Sequence, residues 1–421
     1  DVVELPEEED FYDFTVDGLH NMIVRMQAGS ENFVVVHNSS VYEATVGISG
    51  TRKEGKKEWT VRHCVAPLFE GYGNFGDFED GPAAYRYTEA RLSPIAEHLL
   101  VDPDYLAVTP MVMNYSGTKQ MPLSLPAKLP LMMVNGGTTL AVGMSGGIPS
   151  YSVPDVLDLA IKALEGRVTN KDIAAKKPTS SYGGRCVSTT KDEPYRSYVL
   201  TGKGSVRYQP DYVVDERKRT ITLTSVCVGL DKASSIVKFM TAVNDLPDVM
   251  RVVPSTGNGV YSIVIRCKPR GSDFEETLDK IVKLMTTSVS YDVVRLSRES
   301  EDEMSVAKLP ILQLLTDWAA YRISLQTDVT NYRIQRVEQR VERIDLLIKA
   351  VDCLEIIMKS LRVDDSEAYL VRHMKVTPEQ AHDILEMRVR QLKSLEKRKL
   401  LEERKACMTT LKTLRIDLKY P

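Results

Sequence analysis

From Pro310 onward the apolar residues recur in alternating steps of three and four: Ile334, Val337, Val341, Ile344, Ile348 and Val351, with Arg and Glu filling the positions between. Such a repeat keeps one narrow apolar stripe on one side of a helix, which is the seam of a coiled coil. A second helix is predicted to open at Thr377-Pro378-Glu379-Gln380, where Thr377 caps, Pro378 suits the first turn and Gln380 completes a capping box. A third, charged helix is predicted from Leu395 to Leu414, so the C-terminal part reads as two long helices with a small helical module between them. Ile384, Leu385 and Leu392 form an apolar face with no intrachain partner evident in the sequence. Symmetric pairing of that face between two copies, around Thr377 to Leu400, is therefore expected.

Upstream the pattern is mixed. Residues 11–17 and 33–36 are short β-branched and aromatic runs that predict strands. Between Ser39 and Pro130, helical patterns such as Glu89 to Leu100 alternate with turn clusters such as Gly71 to Gly76. From 131 to 303 strand signals dominate, as at Arg219 to Val228 and Gly259 to Cys267, with helices predicted at Val153 to Leu164 and Phe274 to Thr286. The expectation is an α+β multidomain chain in four segments, 1–38, 39–130, 131–303 and 304–421.

Composition narrows the class. In 421 residues, 43% are hydrophobic and 27% charged, the proportions of a folded protein. No apolar run approaches the roughly 18 residues of a membrane span, and no Lys/Arg-led apolar leader opens the chain, so a soluble cytoplasmic protein with no membrane partner is expected. The six cysteines are scattered, with no C-x-x-C pair, which argues for core residues rather than a metal site or disulfides. The net charge of −3 conceals a break: residues 1–38 hold nine acids against Arg25 alone, a net of −8, while the remainder holds 54 bases against 49 acids, a net of +5. The chain reads as two proteins joined near residue 38.

At that join stands Val34-Val35-Val36-His37-Asn38-Ser39, preceded by Asp13-Phe14-Thr15-Val16-Asp17-Gly18-Leu19-His20-Asn21. An asparagine amide can attack its own carbonyl carbon and cyclise, cutting the chain after itself, when a neighbouring imidazole moves the proton. A following hydroxyl can carry an acyl group as an ester before it shifts to an amide. The two stretches resemble the C-terminal motifs of inteins. That resemblance makes Asn38 the cyclising residue, His37 its proton-transfer partner, Ser39 the hydroxyl nucleophile and His20 an assistant to the earlier acyl transfers. The family's N-terminal motifs are absent, so the segment is either half of a split intein or part of a truncated one, and an N-terminal intein-extein fragment is the implied partner.

In the body, Pro67-Leu68-Phe69-Glu70-Gly71-Tyr72-Gly73-Asn74-Phe75-Gly76 is followed by Ala83-Ala84-Tyr85-Arg86-Tyr87-Thr88-Glu89-Ala90-Arg91-Leu92. Further on come Asn114-Tyr115-Ser116-Gly117-Thr118, Pro126-Ala127-Lys128-Leu129-Pro130, and Val134-Asn135-Gly136 through Gly143-Met144 to Ile148-Pro149. These ordered motifs resemble type IIA DNA topoisomerase cleavage subunits, the family of the gyrase A subunit, and within it most of all the bacteriophage medium subunit. Attack by a tyrosine, with an ordinary pKa near 10, needs proton removal and positive charge beside the phosphoryl oxygens. The resemblance makes Tyr87 the nucleophile of a transient 5′-phosphotyrosyl double-strand break and Arg86 its charge stabiliser. The glycines at 136–143 lack a following G-K-[ST], so a nucleotide loop is not indicated.

The resemblance implies a winged-helix domain over 39–130, incomplete at its N-terminus, a mixed α/β tower over 131–303, and a coiled-coil arm with a helical dimerisation knob over 304–421. It places Leu140 where the family usually has an isoleucine wedged between base pairs, adds Lys128 as a DNA contact, and puts Ser39 and Glu43 at the serine and acid that anchor quinolone drugs in bacterial relatives. It implies double-stranded DNA as substrate, a homodimer, and a partner subunit that binds ATP and holds Mg²⁺ at the leaving 3′ oxygen. The sequence stops at Pro421 without the DNA-wrapping domain of gyrase, which points to relaxation or decatenation. Competing readings are a non-catalytic coiled-coil protein that clamps DNA and an inactive remnant bearing an intein.

Overall fold

The computed structural model describes residues 21–25, 33–37, 45–52, 59–76, 81–113, 117–122, 125–141, 144–257, 260–269, 273–298, 304–386 and 397–420. The backbone separates into two units, Asp1–Arg322 and Ile323–Pro421. Both sheets and helices are present, as the α+β expectation has it.

In the first unit a four-stranded sheet runs in the order Trp59–Arg62, Ser49–Arg52, Phe69–Tyr72, Glu89–Leu92. The central pair is parallel and the flanking pairs are antiparallel. Residues Glu89 to Leu92 are thus strand, and the helix expected to start at Glu89 covers only Pro94–Leu100. Pro94 disfavours a helical conformation at Ser93, which is extended at ψ 154° and caps the helix by accepting from the Ala96 amide at 3.2 Å. The buried Ser93 hydroxyl also donates to the Pro67 carbonyl at 2.8 Å, tying the helix start to the sheet.

A long-range clamp joins this sheet to the hairpin that comes later in the chain. The Asn135 side chain accepts from the Ala66 amide at 2.8 Å and donates to the Ala66 carbonyl at 2.9 Å. Gly136 then turns at φ +64°, where a Cβ would lie 2.6 Å from the Ser150 amide nitrogen, so only glycine fits. The hairpin pairs Gly137–Ala141 with Met144–Ile148 and sets Leu140 opposite Ser145.

A second four-stranded sheet, antiparallel throughout, has the order Tyr212–Asp215, Thr220–Leu223, Val260–Cys267, Val249–Gly257. Its period-two alternation buries Ile221, Leu223, Ile263 and Ile265. The strand expected to reach Val228 ends at Leu223, because Ser225 leaves the ladder to bond Asp211, its hydroxyl donating to the carboxylate at 3.1 Å. The expected helices are found at Val153–Leu164 and Phe274–Met285. Beside them, the sheet of Arg185–Cys186, Lys203–Gln209 and Thr287–Asp292 contributes tyrosines to a core in which hydroxyls pair, Tyr208 with Tyr291 at 3.2 Å and Tyr151 with Tyr198 at 3.1 Å. Burial pushes the phenols of Tyr151, Tyr198 and Tyr208 far above their ordinary range.

The helix Ile311–Asp352 carries the chain into the second unit, which continues with Leu354–Ser360, Ser366–Met374, Pro378–Glu386 and Lys397–Asp417. The two long helices are antiparallel: Glu338 meets Arg415 at 2.9 Å, Asp345 meets Arg404 at 2.6 Å, and Asp352 meets Lys397 at 2.6 Å. Exposed pairs of this kind contribute roughly 0–1 kcal/mol each, so they set register more than stability. Ile344 of the expected seam is buried, as are Leu400 and Leu411 on the facing helix. The capping box forms as expected, Gln380 N donating to Thr377 Oγ1 at 3.2 Å and Thr377 N to Gln380 Oε1 at 3.1 Å.

The apolar face expected to lack an intrachain partner has one. Ile384 is 1% exposed and packs with Leu346, Ala350, Ile357, Leu370, Met374 and Val376, and Leu385 is half-buried against the same cluster. Leu392 lies outside the described residues. The partner surface comes from the end of the long helix and two short helices, which linear spacing could not place together. Among the described residues, no helix is long and apolar enough to cross a membrane.

Two substitutions test this packing. Asn135→Ala should lower unfolding free energy by roughly 1–3 kcal/mol, because the Ala66 amide and carbonyl lose their partner. Ile384→Ala should cost about 2–5 kcal/mol by leaving a cavity. Chemical denaturation followed by far-UV circular dichroism reads both, and a change under roughly 0.5 kcal/mol at either position, the scatter of surface substitutions, would contradict the placement.

Candidate active site

Arg86 and Tyr87 sit in a single 3-10 turn, Tyr85–Tyr87, closed by Tyr87 N to Ala84 O at 2.9 Å and Thr88 N to Tyr85 O at 3.2 Å. Thr88 is extended and its hydroxyl donates to the Tyr85 carbonyl at 3.1 Å, so the turn passes at once into the strand Glu89–Leu92. On its other side the turn rests on the glycine-rich stretch. Gly73, at φ +87°, comes so close that a Cβ there would lie 3.0 Å from the Tyr87 carbonyl oxygen. Asn74 holds the following loop, accepting from Gly76 N at 2.9 Å through its side chain and from Ala83 N at 3.0 Å through its carbonyl. At Gly71 a Cβ would lie 2.6 Å from the Phe75 ring, whose buried face underlies the strand. These glycines permit close approach of backbone to backbone and ring; they form the platform on which the turn stands.

The platform presents Tyr87 outward at 69% exposure and Tyr85 at 66%. The Arg86 guanidinium carbon lies 5.0 Å from the Tyr87 ring centroid, within cation–π range. Tyr151, Tyr195, Tyr198 and Tyr208, by contrast, are enclosed and out of reach of any macromolecular phosphodiester. The two residues singled out in the sequence are therefore brought together, and on the surface.

Sequence reasoning missed one feature beside them. Glu70 is 3% exposed, and the Nε and Nη2 of Arg91 donate to its Oε2 at 3.0 and 2.8 Å. The Arg91 guanidinium also lies 5.3 Å from the Tyr72 ring centroid. An acid inside the otherwise apolar run Phe69-Glu70-Gly71-Tyr72 was the available signal, but its partner depends on strand register.

Lys128 donates to Asp102 Oδ2 at 2.6 Å and lies 5.1 Å from the Tyr105 ring, so its charge is matched within the chain. Arg322 lies 4.4 Å from the same ring and donates to the Tyr105 hydroxyl at 2.8 Å. Leu140 is on the hairpin strand Gly137–Ala141. His37 ends the strand Phe33–His37, opposite Asn21. His20, Asn38, Ser39, Glu43 and the expected strand at 11–17 lie outside the described residues. Among the described residues, no group of three or more His, Cys, Asp or Glu side chains is gathered as a metal site requires.

Known proteins match this sequence over most of its length. The profile of the DNA gyrase/topoisomerase IV A-subunit family matches residues 37–420. The topoisomerase 4 A subunit of Neisseria gonorrhoeae is 31% identical over 396 residues, covering 87% of this chain and 50% of that protein. The DNA gyrase A subunit of Chlamydia trachomatis is 28% identical over 361 residues, covering 82% of this chain and 42% of that protein. That of Mycobacterium tuberculosis is 28% identical over 391 residues, covering 87% and 44%. The chain spans half or less of the length of these relatives. The turn bearing Arg86 and Tyr87 lies inside the segment that the profile matches, and the chain belongs to the family of DNA gyrase and topoisomerase IV A subunits.

Proposed function

We propose that this chain is the DNA-breaking and rejoining subunit of a type IIA topoisomerase, with Tyr87 as nucleophile. The observation that carries the reading is the exposed Tyr87 hydroxyl beside the Arg86 guanidinium on a rigid glycine platform, within the family-matched segment. The phenolic oxygen forms a bond to the scissile phosphorus while the bond to the 3′ oxygen breaks, and the proton lost by the phenol ends on the 3′ hydroxyl. A 5′-phosphotyrosyl ester results, and the reverse attack reseals the strand. Arg86 stabilises charge on the non-bridging oxygens in transit. Two copies, each with one Tyr87, would cut opposite strands for passage of a second duplex, and Leu140 would wedge between base pairs.

ATP and Mg²⁺ belong, under this reading, to a partner subunit. Homodimerisation is assigned to the helical module of the second unit, where Met358, Leu361 and Val363 remain exposed after Ile384 is enclosed.

Residues 1–38 are proposed to be a C-terminal intein segment, with Asn38 cyclising, His37 and His20 assisting and Ser39 accepting the upstream extein. The family profile begins at residue 37, beside the charge break, which supports a junction there. Splicing would leave Ser39 and Glu43 at the start of the DNA-facing helix.

Three outcomes test these assignments. Tyr87→Phe should abolish covalent attachment to DNA while leaving binding and its salt dependence unchanged, and Arg86→Ala should slow attachment on the order of 100- to 1,000-fold with little loss of affinity. Detergent-trapped adducts on supercoiled plasmid, with Mg²⁺ and the partner subunit, measure both. Asn38→Ala should block release of the intein segment and Ser39→Ala should block ligation when the chain is mixed with a matching N-terminal fragment, and ligated product from Ser39→Ala would refute the splicing assignment. Leu361→Asp with Val363→Asp should shift sedimentation at micromolar concentration from dimer to monomer, and an unchanged dimer would place the interface elsewhere.

A further inference from the structure

The strands Phe69–Tyr72 and Glu89–Leu92 enclose a 16-residue connection that contains the Tyr85–Tyr87 turn, and their ladder is only four pairs long. Its pairs are Phe69 with Leu92, Glu70 with Arg91, Gly71 with Ala90 and Tyr72 with Glu89. Glycine and alanine at one pair supply little side-chain specificity, and a slip of one residue would move the turn about 3.4 Å and invert every side chain. A contact specific to the correct register is the two-pronged bond from Arg91 to Glu70. Both ends of the connection bear on the nucleophile: Gly73 abuts the Tyr87 carbonyl, and Thr88 bonds back to Tyr85.

We propose that Glu70 and Arg91 are positioning residues for the cleavage step, their ion pair locking the register of the two strands so that Tyr87 is held where it meets the phosphodiester. The inference rests on the reading of Tyr87 as nucleophile. An enclosed carboxylate paired with an arginine that is itself 66% exposed is a poor source of stability, since desolvating the acid offsets most of the attraction. It is a good source of geometry. The fork fixes two donors on one oxygen, and the Tyr72 ring packs against the guanidinium, leaving it little freedom. Misplacing a reacting oxygen by about 1 Å costs on the order of 100-fold in rate, so a register lock acts on cleavage far more than on DNA affinity.

The experiment measures the rate of covalent adduct formation at saturating DNA, DNA affinity without Mg²⁺, and thermal unfolding, for the full chain with its partner subunit. Glu70→Gln, near-isosteric but uncharged, should slow adduct formation about 10- to 100-fold while affinity stays within twofold. Arg91→Lys, which keeps the charge without the fork and alters a largely exposed side chain, should slow it similarly. The double variant Glu70→Gln/Arg91→Lys should be no slower than the slower of its two single variants, because both act on the same ion pair. A folded Glu70→Gln or Arg91→Lys protein that cleaves within twofold of the parent would overturn the proposal, as would affinity falling in step with rate or multiplicative effects in the double variant. Tyr87→Phe is run alongside: adduct formed by that protein would remove the nucleophile reading itself, which is a different failure.

Discussion

On the proposed function, Tyr87 must be exposed to DNA and yet held in place, and the region around it meets both demands. Tyr151, Tyr198, Tyr208 and Tyr291 meet the second demand only, by burial, with hydroxyls paired to one another. Tyr87 solves both through its backbone rather than its side chain. Its carbonyl is packed against Gly73, its amide closes the turn on Ala84, and its ring is left to solvent and Arg86. Glycine at positive φ makes that close approach possible, and the sheet beneath gives the platform stiffness.

The same division between what fixes geometry and what supplies chemistry recurs in the second unit. The long antiparallel helices are registered by exposed charge pairs that add little free energy, while the helical module is held by enclosure of Ile384 among residues from three other helices. Specificity and stability are carried by different side chains.

Local signals in the sequence were sufficient where structure is decided locally. The capping box at Thr377 and Gln380 and the helix at Val153–Leu164 depend on spacing within a few turns, and each is found where the sequence puts it. That Arg86 and Tyr87 stand side by side follows from their adjacency in sequence, since one turn holds both. The features that could not be read depend on tertiary partners. The strand at Glu89–Leu92 exists because Phe69–Tyr72 pairs with it, overriding a helical pattern that Ser93 and Pro94 start later. Ile384 looked free because its neighbours come from separate stretches of chain, and the pairing of Lys128 with Asp102, 26 residues away, depends equally on tertiary structure.

The most direct measurement of the central claim is chemical identification of the residue joined to DNA. Trapped adduct, digested with nuclease and trypsin and examined by tandem mass spectrometry, should carry its nucleotide on the peptide Tyr87-Thr88-Glu89-Ala90-Arg91, since trypsin cuts after Arg86 and after Arg91. Fragment ions should place the added mass on Tyr87. A nucleotide found on the preceding peptide, at Tyr85, or on any other tyrosine would contradict the account.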